Sequence, residues 1–445
     1  MEGSNQQSLT RQQKEAVGLL SIGTFLEYFD LMLYVHMAVL LNELFFPKTD
    51  PFTASLLSAF AFCSTFVFRP FGALLLGYIG DHIGRKVTII ISTSMMALSC
   101  VIMANLPTYA QIGITASWIV TICRILQGLS SLGEVIGAEI YLVESIKPPI
   151  LYPMVCIIII FSTLGGFAAL GIATLSTSVN FNWRMAFWFG AGVALIGIVA
   201  RTTLRESRDF VDVQNNLKNT FKAVNLNPQE LKNNVIYNQK TDIRIIASYF
   251  IMECTSPIYF YINFIYCADI LKSFGLSSPD VIQHNFVLSG VNFLNAVLLT
   301  IFVSKIHPIR LLQYKFILSI PFMLSFPFLY TIITSETQLF VLQTLLILLG
   351  CTAFPANPVI FQHFPILRRF TASTFTFAVA KAVTYCITAF GIIYLFKNFS
   401  HNGLLILLIP VNIGYAFALN FFRKLEIQNN SFPFLNKRTL ETETY

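Results

Sequence analysis

Residues 68–86 read Phe-Arg-Pro-Phe-Gly-Ala-Leu-Leu-Leu-Gly-Tyr-Ile-Gly-Asp-His-Ile-Gly-Arg-Lys and join two apolar runs through a short polar turn. Each run is about 20 residues long, which is the length that a helix needs to cross a bilayer. Gly77, Gly80 and Gly84 permit close helix approach and positive φ, so the connection can be this short. Asp81 can accept hydrogen bonds from the N-terminus of a neighbouring helix. The stretch therefore predicts two membrane helices joined by a tight hairpin.

The composition is that of a multi-pass membrane protein. Of the 445 residues, 55% are hydrophobic and only 11% are charged, which is far from the balance of a soluble domain. The eight cysteines and six histidines are scattered and show no ligand spacing, so we expect neither disulfides nor a metal. No nucleophile–histidine–acid grouping, phosphate-binding loop or nucleic-acid-binding pattern is present. The sequence therefore argues against an enzyme, an ATP-driven pump and a nucleic-acid-binding protein.

The chain contains twelve apolar runs, which predict an all-α integral membrane protein of twelve transmembrane helices in two six-helix bundles. The runs lie at about 17–45, 53–79, 87–105, 110–143, 151–178, 184–203, 244–272, 282–304, 311–333, 337–360, 371–396 and 403–422. The predicted domains are a cytoplasmic N-terminus (1–16), an N-terminal bundle (17–203), a central cytoplasmic loop (204–243), a C-terminal bundle (244–422) and a cytoplasmic tail (423–445). The polar N-terminus and the carboxylates in the first run argue against a cleavable signal peptide.

Basic residues set the expected orientation. Arg85 and Lys86 belong to a large group of lysines and arginines in alternate loops, whereas the opposite loops hold only Lys48, Lys272 and Lys397. Because loops rich in lysine and arginine stay in the cytoplasm, both termini are predicted to be cytoplasmic.

Charged residues inside the spans are the first functional candidates, because each costs several kcal/mol unless it is paired or faces water. The first span carries Glu27, Asp30 and Tyr34 at steps of three and four, which places them on one helix face. That face is expected to point into the bundle, where Glu27 and Asp30 would couple protons and Tyr34 would bind substrate. The alternative is a pair of carboxylates solvated at the inner mouth.

The fourth span carries a second polar stripe, formed by Arg124, Gln127, Ser131 and Glu134. Arg124 and Gln127 are candidates for binding a substrate carboxylate, and Glu134 for carrying a proton. The alternative is a set of buried charge pairs that hold the first and fourth helices together.

Candidates in the second half are fewer. Lys381 is the clearest charge within a span of that half, and Pro257 breaks the seventh span beside Tyr259. Such a break frees backbone carbonyls to line a cavity, so Tyr259 and Lys381 join the predicted substrate site. Neighbouring aromatic faces could hold a quaternary ammonium, although most of the 43 phenylalanines must face lipid or other helices.

Several stretches resemble the metabolite:proton symporters of the major facilitator superfamily, which include bacterial proline/betaine transporters. The stretches are Leu26-Glu-Tyr-Phe-Asp30, Arg69-Pro-Phe-Gly72 with Gly80-Asp-His-Ile-Gly-Arg85, Arg124-Ile-Leu-Gln-Gly-Leu-Ser-Ser-Leu-Gly-Glu134 with Glu144, Asn182-Trp-Arg184 with Leu204-Arg-Glu-Ser207, and Arg369-Phe-Thr-Ala372. The resemblance covers residues 17–210 well and the second half loosely. The loop between helices 8 and 9 departs from the pattern, since Lys305 stands at the place of an acid and His307-Pro308 at the place of a glycine turn.

The resemblance implies a proton-coupled symporter of a small zwitterion, similar to proline or betaine. It would be driven by the proton gradient without a cofactor, and would work as a monomer in the bacterial inner membrane. The alternatives are a carrier of dicarboxylates or other organic acids and a sensory paralogue with altered transport. The conformational gate is assigned to residues around the hairpin: Gly77, Asp81, Gly84, Arg85, Arg69 and Glu144.

We predict that the double substitution Asp30→Asn, Glu134→Gln abolishes proton-driven accumulation, because neither side chain could then bind and release the coupled proton. The measurement is solute uptake at several external pH values in wild-type and variant vesicles. Unaltered uptake by the double variant, without pH dependence in either protein, would refute this assignment.

Overall fold

A computed structural model describes residues 8–47, 63, 65–176, 182–202 and 241–429, and over these ranges the fold is all-α. The main helical segments are α1 (Arg11–Phe45), α2 (Arg69–His82), α3 (Arg85–Asn105), α4 (Ile114–Ser145), α5 (Leu151–Ser176), α6 (Arg184–Thr202), α7 (Ile243–Ser273), α8 (Ser278–Val303), α9 (Pro308–Ile332), α10 (Glu336–Gln362), α11 (Ile366–Phe399) and α12 (Gly403–Gln428). Ten of the segments in the described ranges are long and apolar enough to cross a membrane. The predicted fold class is confirmed.

The observed helices follow the predicted apolar runs closely, and the differences have local causes. One turn, Tyr109–Ile112, precedes α4 because Gly113 between them has φ +62°. The helix α10 is interrupted after Leu349 and resumes through Phe354–Ala356. The first half of the second predicted span and most of the central loop lie outside the described residues.

The seventh segment, α7, is interrupted at Cys254, three residues before Pro257. Proline has no backbone N–H, so it leaves the carbonyl four residues earlier without its helical partner. The first piece ends at Glu253, whose carbonyl is the one released. Further along, Ile262–Tyr266 forms a π-helix, a wider turn that is often found at functional sites.

Two pairs of helices form the largest contacts between the halves within the described residues. The helix α5 packs along α8, and α2 packs along α11, while the other large contacts join helices of the same half. The rings of Phe167 and Phe286 stack across the α5–α8 contact with centroids 4.6 Å apart. The space between the halves is therefore bordered by α2 and α11 on one flank and by α5 and α8 on the other.

The outer surface is apolar, as it must be in a bilayer. Large side chains such as Phe71, Trp118, Leu195 and Phe417 are more than 60% exposed. Polar side chains are concentrated inside instead, including Glu139 and Arg124, each at most 1% exposed. This distribution matches a chain whose helices pack against each other and are surrounded by lipid.

Close packing of α1 on α5 depends on a glycine. A Cβ added at Gly165 would lie 2.2 Å from the carbonyl oxygen of Phe25, whereas one at Gly192 would meet nothing within 4 Å.

We therefore predict that Gly165→Ala destabilises the protein by about 1–3 kcal/mol, since the two backbones must separate. The matched control, Gly192→Ala, should be neutral or slightly stabilising. Thermal unfolding in detergent checks both substitutions. Equal melting temperatures for the two variants would contradict the predicted contact.

Candidate functional site

A cavity of about 270 Å³ lies between the two halves. Helices α1, α2, α4 and α5 line it from the first half, and α7 to α11 line it from the second. Among the described residues, five charged side chains reach its wall: Arg69, Glu139, Glu253, Lys315 and Lys381. All five are less than 10% exposed, so the cavity brings formal charges of both signs into the middle of an apolar protein.

An ion pair stands on the wall formed by the second half. The Lys381 ammonium lies 3.1 Å from a carboxylate oxygen of Glu253. It also donates to the Glu253 backbone carbonyl at 3.3 Å and to the Ser256 hydroxyl. The carbonyl is the one that Pro257 releases, so α11 supplies the donor that the broken α7 lacks.

A second polar contact crosses from one half to the other. The amide of Asn357 on α10 donates to Glu139 on α4 at 2.9 Å. The second carboxylate oxygen of Glu139 and the amide oxygen of Asn357 are buried and have no hydrogen-bond partner among the described residues. This contact leaves acceptors available at the cavity wall.

The guanidinium of Arg69 is the third polar element of the wall. Its centre lies 4.5 Å from the centroid of the Phe66 ring, and Phe66 packs on Tyr385 with centroids 4.1 Å apart. Two of its nitrogens, Nε and Nη2, are buried without a hydrogen-bond partner among the described residues. A guanidinium with free donors beside aromatic rings suits a carboxylate ligand.

The hairpin after α2 closes one end of the space between the halves. Asp81 accepts hydrogen bonds from the backbone N–H groups of Phe370 (3.3 Å) and Thr371 (2.8 Å) and from the Thr371 hydroxyl (2.5 Å). A carboxylate of the hairpin thus binds donors of Phe370 and Thr371 in the second turn of α11. This contact lies on the side predicted to be cytoplasmic.

Glycines of the hairpin allow the two helices to meet there. A Cβ at Gly77 would lie 2.9 Å from Thr371 Cα, and one at Gly80 would lie 2.9 Å from the Phe370 ring. The turn itself depends on Gly84, whose φ is 143°.

A salt bridge accompanies the hairpin contact. Arg369 at the start of α11 lies 3.5 Å from Glu144 at the end of α4, and both side chains are buried. Its Nε also donates to the Phe364 carbonyl at 3.3 Å. The closed end therefore combines the hairpin and one ion pair, both made to α11.

The predicted site residues fall into three groups. Tyr259 and Lys381 line the cavity, and so does Arg69, which the sequence assigned to the gate. Gly77, Asp81, Gly84 and Glu144 lie at the closed end, and their assignment to the gate stays a prediction.

The remaining predicted residues are not seen in the cavity. Arg124 and Gln127 bond to each other at 2.8 Å, both 1% exposed, and neither is part of the cavity lining. Glu27 is buried beside a separate space of about 10 Å³ that also contacts Ser92, Thr93 and Ser130. The side chains of Asp30, Tyr34, Arg85 and Glu134 lie outside the described part of the structure.

Sequence reasoning missed Glu139, Glu253, Asn357 and Lys315 as cavity residues. Glu139 follows Glu134 by five residues and so lies off the helix face of the predicted stripe, and Glu253 lies within the seventh predicted span, 244–272. The available signal was the rarity of ionisable residues within spans, which applies to all three charged residues. Nothing in the local sequence indicates that Asn357 faces Glu139.

The geometry is that of a membrane protein with a central polar cavity between two halves and closed at one end. Residues 20–380 match the sequence profile of the Major Facilitator Superfamily. The chain belongs to this family.

Similarity to individual proteins is strongest over part of the chain. An inner membrane metabolite transport protein of Escherichia coli (strain K12) is 36% identical over 200 residues, which are 43% of this chain and 46% of the relative. The proline/betaine transporter of Salmonella typhimurium is 30% identical over 205 residues (44% and 41%). The citrate-proton symporter of Klebsiella pneumoniae is 30% identical over 202 residues (44% and 46%). Each of these matches spans less than half of the relative's length.

Solved structures extend the likeness in fold to nearly the whole chain. The proton:xylose symporter XylE has a TM-score of 0.73 at 15% identity, covering 93% of this chain and 95% of its own. The human organic anion transporter MFSD10 has a TM-score of 0.64 at 14% identity, with coverages of 92% and 99%. At these identities the likeness concerns the fold alone.

We predict that Asp81→Asn weakens the closed end. The amide has one acceptor oxygen, so its NH₂ group must face a backbone N–H of Phe370 or Thr371, where donor meets donor. Spin labels on cysteines introduced at the exposed positions His82 and Arg368 should show an added population at longer distance. The labelled protein that keeps Asp81 is the control, and an identical distance distribution in both proteins would disprove this role of Asp81.

Proposed function

We propose that the chain is a proton-coupled secondary transporter that carries a small zwitterionic solute, similar to proline or betaine, by alternating access. The observation that carries the proposal is the buried cavity between the two halves, with Arg69 and the Lys381–Glu253 pair on its wall. Transporters of this architecture place substrate near the bilayer midplane and rock the halves around it.

The wall offers a partner to each end of a zwitterion. Arg69 would bind the carboxylate, because two of its buried nitrogens have no hydrogen-bond partner among the described residues. The cationic end would face Glu139 and the rings of Phe66, Tyr385 and Phe260, where cation–π attraction operates. The matched proteins named for proline and betaine support this substrate class.

Proton coupling requires a carboxylate whose charge changes during the cycle. Glu139 fits, since it is 0% exposed and one of its oxygens is unpartnered within the described residues. Asp30, Glu27 and Glu134 on α1 and α4 are kept as further proton carriers of the proposal. Protonation of a wall carboxylate would offset the charge that the substrate brings into the apolar interior.

Alternating access would open the end that Asp81 closes. Release toward the cytoplasm requires the bonds from Asp81 to α11 and the bridge from Glu144 to Arg369 to break. The multi-pass helices and the bacterial relatives support a location in the inner membrane.

A carrier of organic acids is the second candidate. Among the described cavity residues Arg69, Lys315 and Lys381 carry three positive charges, against two negative charges from Glu139 and Glu253. This excess of positive charge would suit a substrate with a net negative charge. The matched citrate-proton symporter is consistent with it.

The test is uptake of radiolabelled proline and betaine into proteoliposomes, with and without an inward proton gradient. We expect gradient-stimulated accumulation, and Arg69→Gln should weaken apparent affinity by roughly tenfold or more through loss of a charge-assisted hydrogen bond. Arg244→Gln, which alters an exposed arginine at the start of α7, is the matched control and should leave affinity unchanged.

The same vesicles separate the alternatives. Uptake of citrate or 2-oxoglutarate, without uptake of proline or betaine, would establish the organic-acid carrier instead. Absence of uptake across both panels would overturn the transport proposal and favour the sensory paralogue.

A further inference from the structure

A chain of hydrogen bonds runs from the predicted outer surface to the wall of the cavity. It starts at Glu336, the first residue of α10, whose carboxylate lies 3.1 Å from Nδ1 of His284 on α8. The other ring nitrogen, Nε2, lies 2.7 Å from Oε1 of Gln343 on α10. Gln343 in turn donates from Nε2 to the backbone carbonyl of Asn263 at 2.7 Å. Asn263 lies in the π-helix of α7, and its side chain lines the cavity.

The donor and the acceptor of each bond follow from the last group of the chain, the Asn263 carbonyl. A backbone carbonyl can only accept, so the NH₂ group of Gln343 must point to Asn263 and its oxygen must point to His284. That oxygen can also only accept, so Nε2 of His284 must carry a proton. An ionised Glu336 then requires a proton on Nδ1 as well. The complete chain therefore needs a doubly protonated imidazole beside a carboxylate.

Loss of one proton from this arrangement breaks one of its bonds. A neutral imidazole with its proton on Nε2 turns a lone pair toward the Glu336 carboxylate. With the proton on Nδ1 instead, the ring turns a lone pair toward the Gln343 oxygen. In both tautomers two acceptors face each other, and the chain to α7 is weakened.

Among the described residues, few other charges lie around His284. From α10 it is faced by Glu336, Gln343 and the edge of the Phe340 ring, whose centroid is 5.5 Å away. Asp280, one turn earlier on α8, accepts from the backbone N–H of Ser277 at 3.0 Å.

The described contacts from α7 and α5 to this region are uncharged. The next residue of α8, Asn285, donates to the Phe264 carbonyl of α7 at 3.4 Å, and α5 meets α8 at the apolar pair Phe167–Phe286. Among the described contacts of His284, Glu336 is therefore its ionic partner. His284 itself is buried, with its side chain 2% exposed, whereas that of Glu336 is 51% exposed.

We propose that His284 is a positioning residue of the transport cycle: together with Glu336 it takes up a proton from the outer solution, and in that state it holds the π-helix of α7 against the cavity through Gln343. The proton comes from external water and returns to it, so no other reactant is needed. The inference rests on the proposed function for its place in transport, but the hydrogen-bond chain is independent of the substrate.

The test measures amide hydrogen exchange of α7 peptides containing residues 262–266 in lipid nanodiscs, corrected for the intrinsic pH dependence of exchange. Histidine titrates between about pH 5 and about pH 8, so the pH range runs from about 5.5 to about 8.5. In wild-type protein we expect protection of these amides to fall by roughly tenfold as pH rises across this range.

Glu336→Gln is the decisive variant. Its amide can donate to Nδ1 of a neutral His284, whose Nε2 still donates to Gln343, so the chain is kept without the extra proton. Protection should then be high and independent of pH.

His284→Gln should be poorly protected at every pH, provided that its circular dichroism shows a folded protein. Asp280→Asn, which removes a neighbouring carboxylate outside the chain, should behave like wild type.

Two outcomes would overturn the proposal: pH-independent protection in wild type, or a wild-type pH dependence retained in Glu336→Gln. Because the measurement needs no substrate, it stands even if no solute is taken up in the vesicle assay. Where uptake occurs, Glu336→Gln should also flatten its dependence on external pH, while Asp280→Asn should not.

Discussion

The break in α7 is the constraint on which the second half of the molecule depends. Lipid offers no hydrogen bonds, so every carbonyl that leaves the helical ladder needs a donor from the protein. Lys381 supplies it to Glu253, and two other side chains donate to carbonyls of the π-helix: Gln343 to Asn263 and Asn285 to Phe264. The same segment therefore lines the cavity and is held by side chains of α8, α10 and α11. A change in any of these donors would reach the cavity wall directly.

The equivalent loop makes different contacts in the two halves. In the first half, Asp81 binds the start of α11 and ties the halves together. In the second half, His307 takes the place of the glycine turn and lies 3.5 Å from Glu426 at the end of α12, which also contacts His363 at 2.8 Å. That cluster connects helices of one half with each other, apart from an edge contact between His307 and Tyr152 of α5. Hence the closure between halves depends on the Asp81 hairpin more than on its counterpart.

Prediction from sequence succeeded for features that depend on residues close together in the chain. Apolar length placed the helices within a few residues, and the Pro257 break and the acceptor role of Asp81 follow from elementary backbone chemistry. The cavity was harder, because its members come from helices that are distant in sequence. Arg124 and Arg69 are both arginines in apolar runs, and only packing decides that Arg69 reaches the cavity while Arg124 bonds to Gln127 in its own helix. The role of Asn357 likewise could not be predicted from sequence, because it depends on the packing of α10 beside Glu139.

The polar groups of the interior are arranged at three depths along the path a solute would take. The Glu336–His284 pair stands at the end predicted to be the outer one, the charges around Arg69, Glu139 and Lys381 at the centre, and Asp81 at the closed end. The first two levels meet at the π-helix of α7, since Asn263 is the last acceptor of one and a wall residue of the other. The last two meet in α11, which carries Lys381 at the cavity and receives Asp81 at its start. Because single helices connect neighbouring levels, a change of charge at one level can alter the geometry of the next without any contact between the charges themselves.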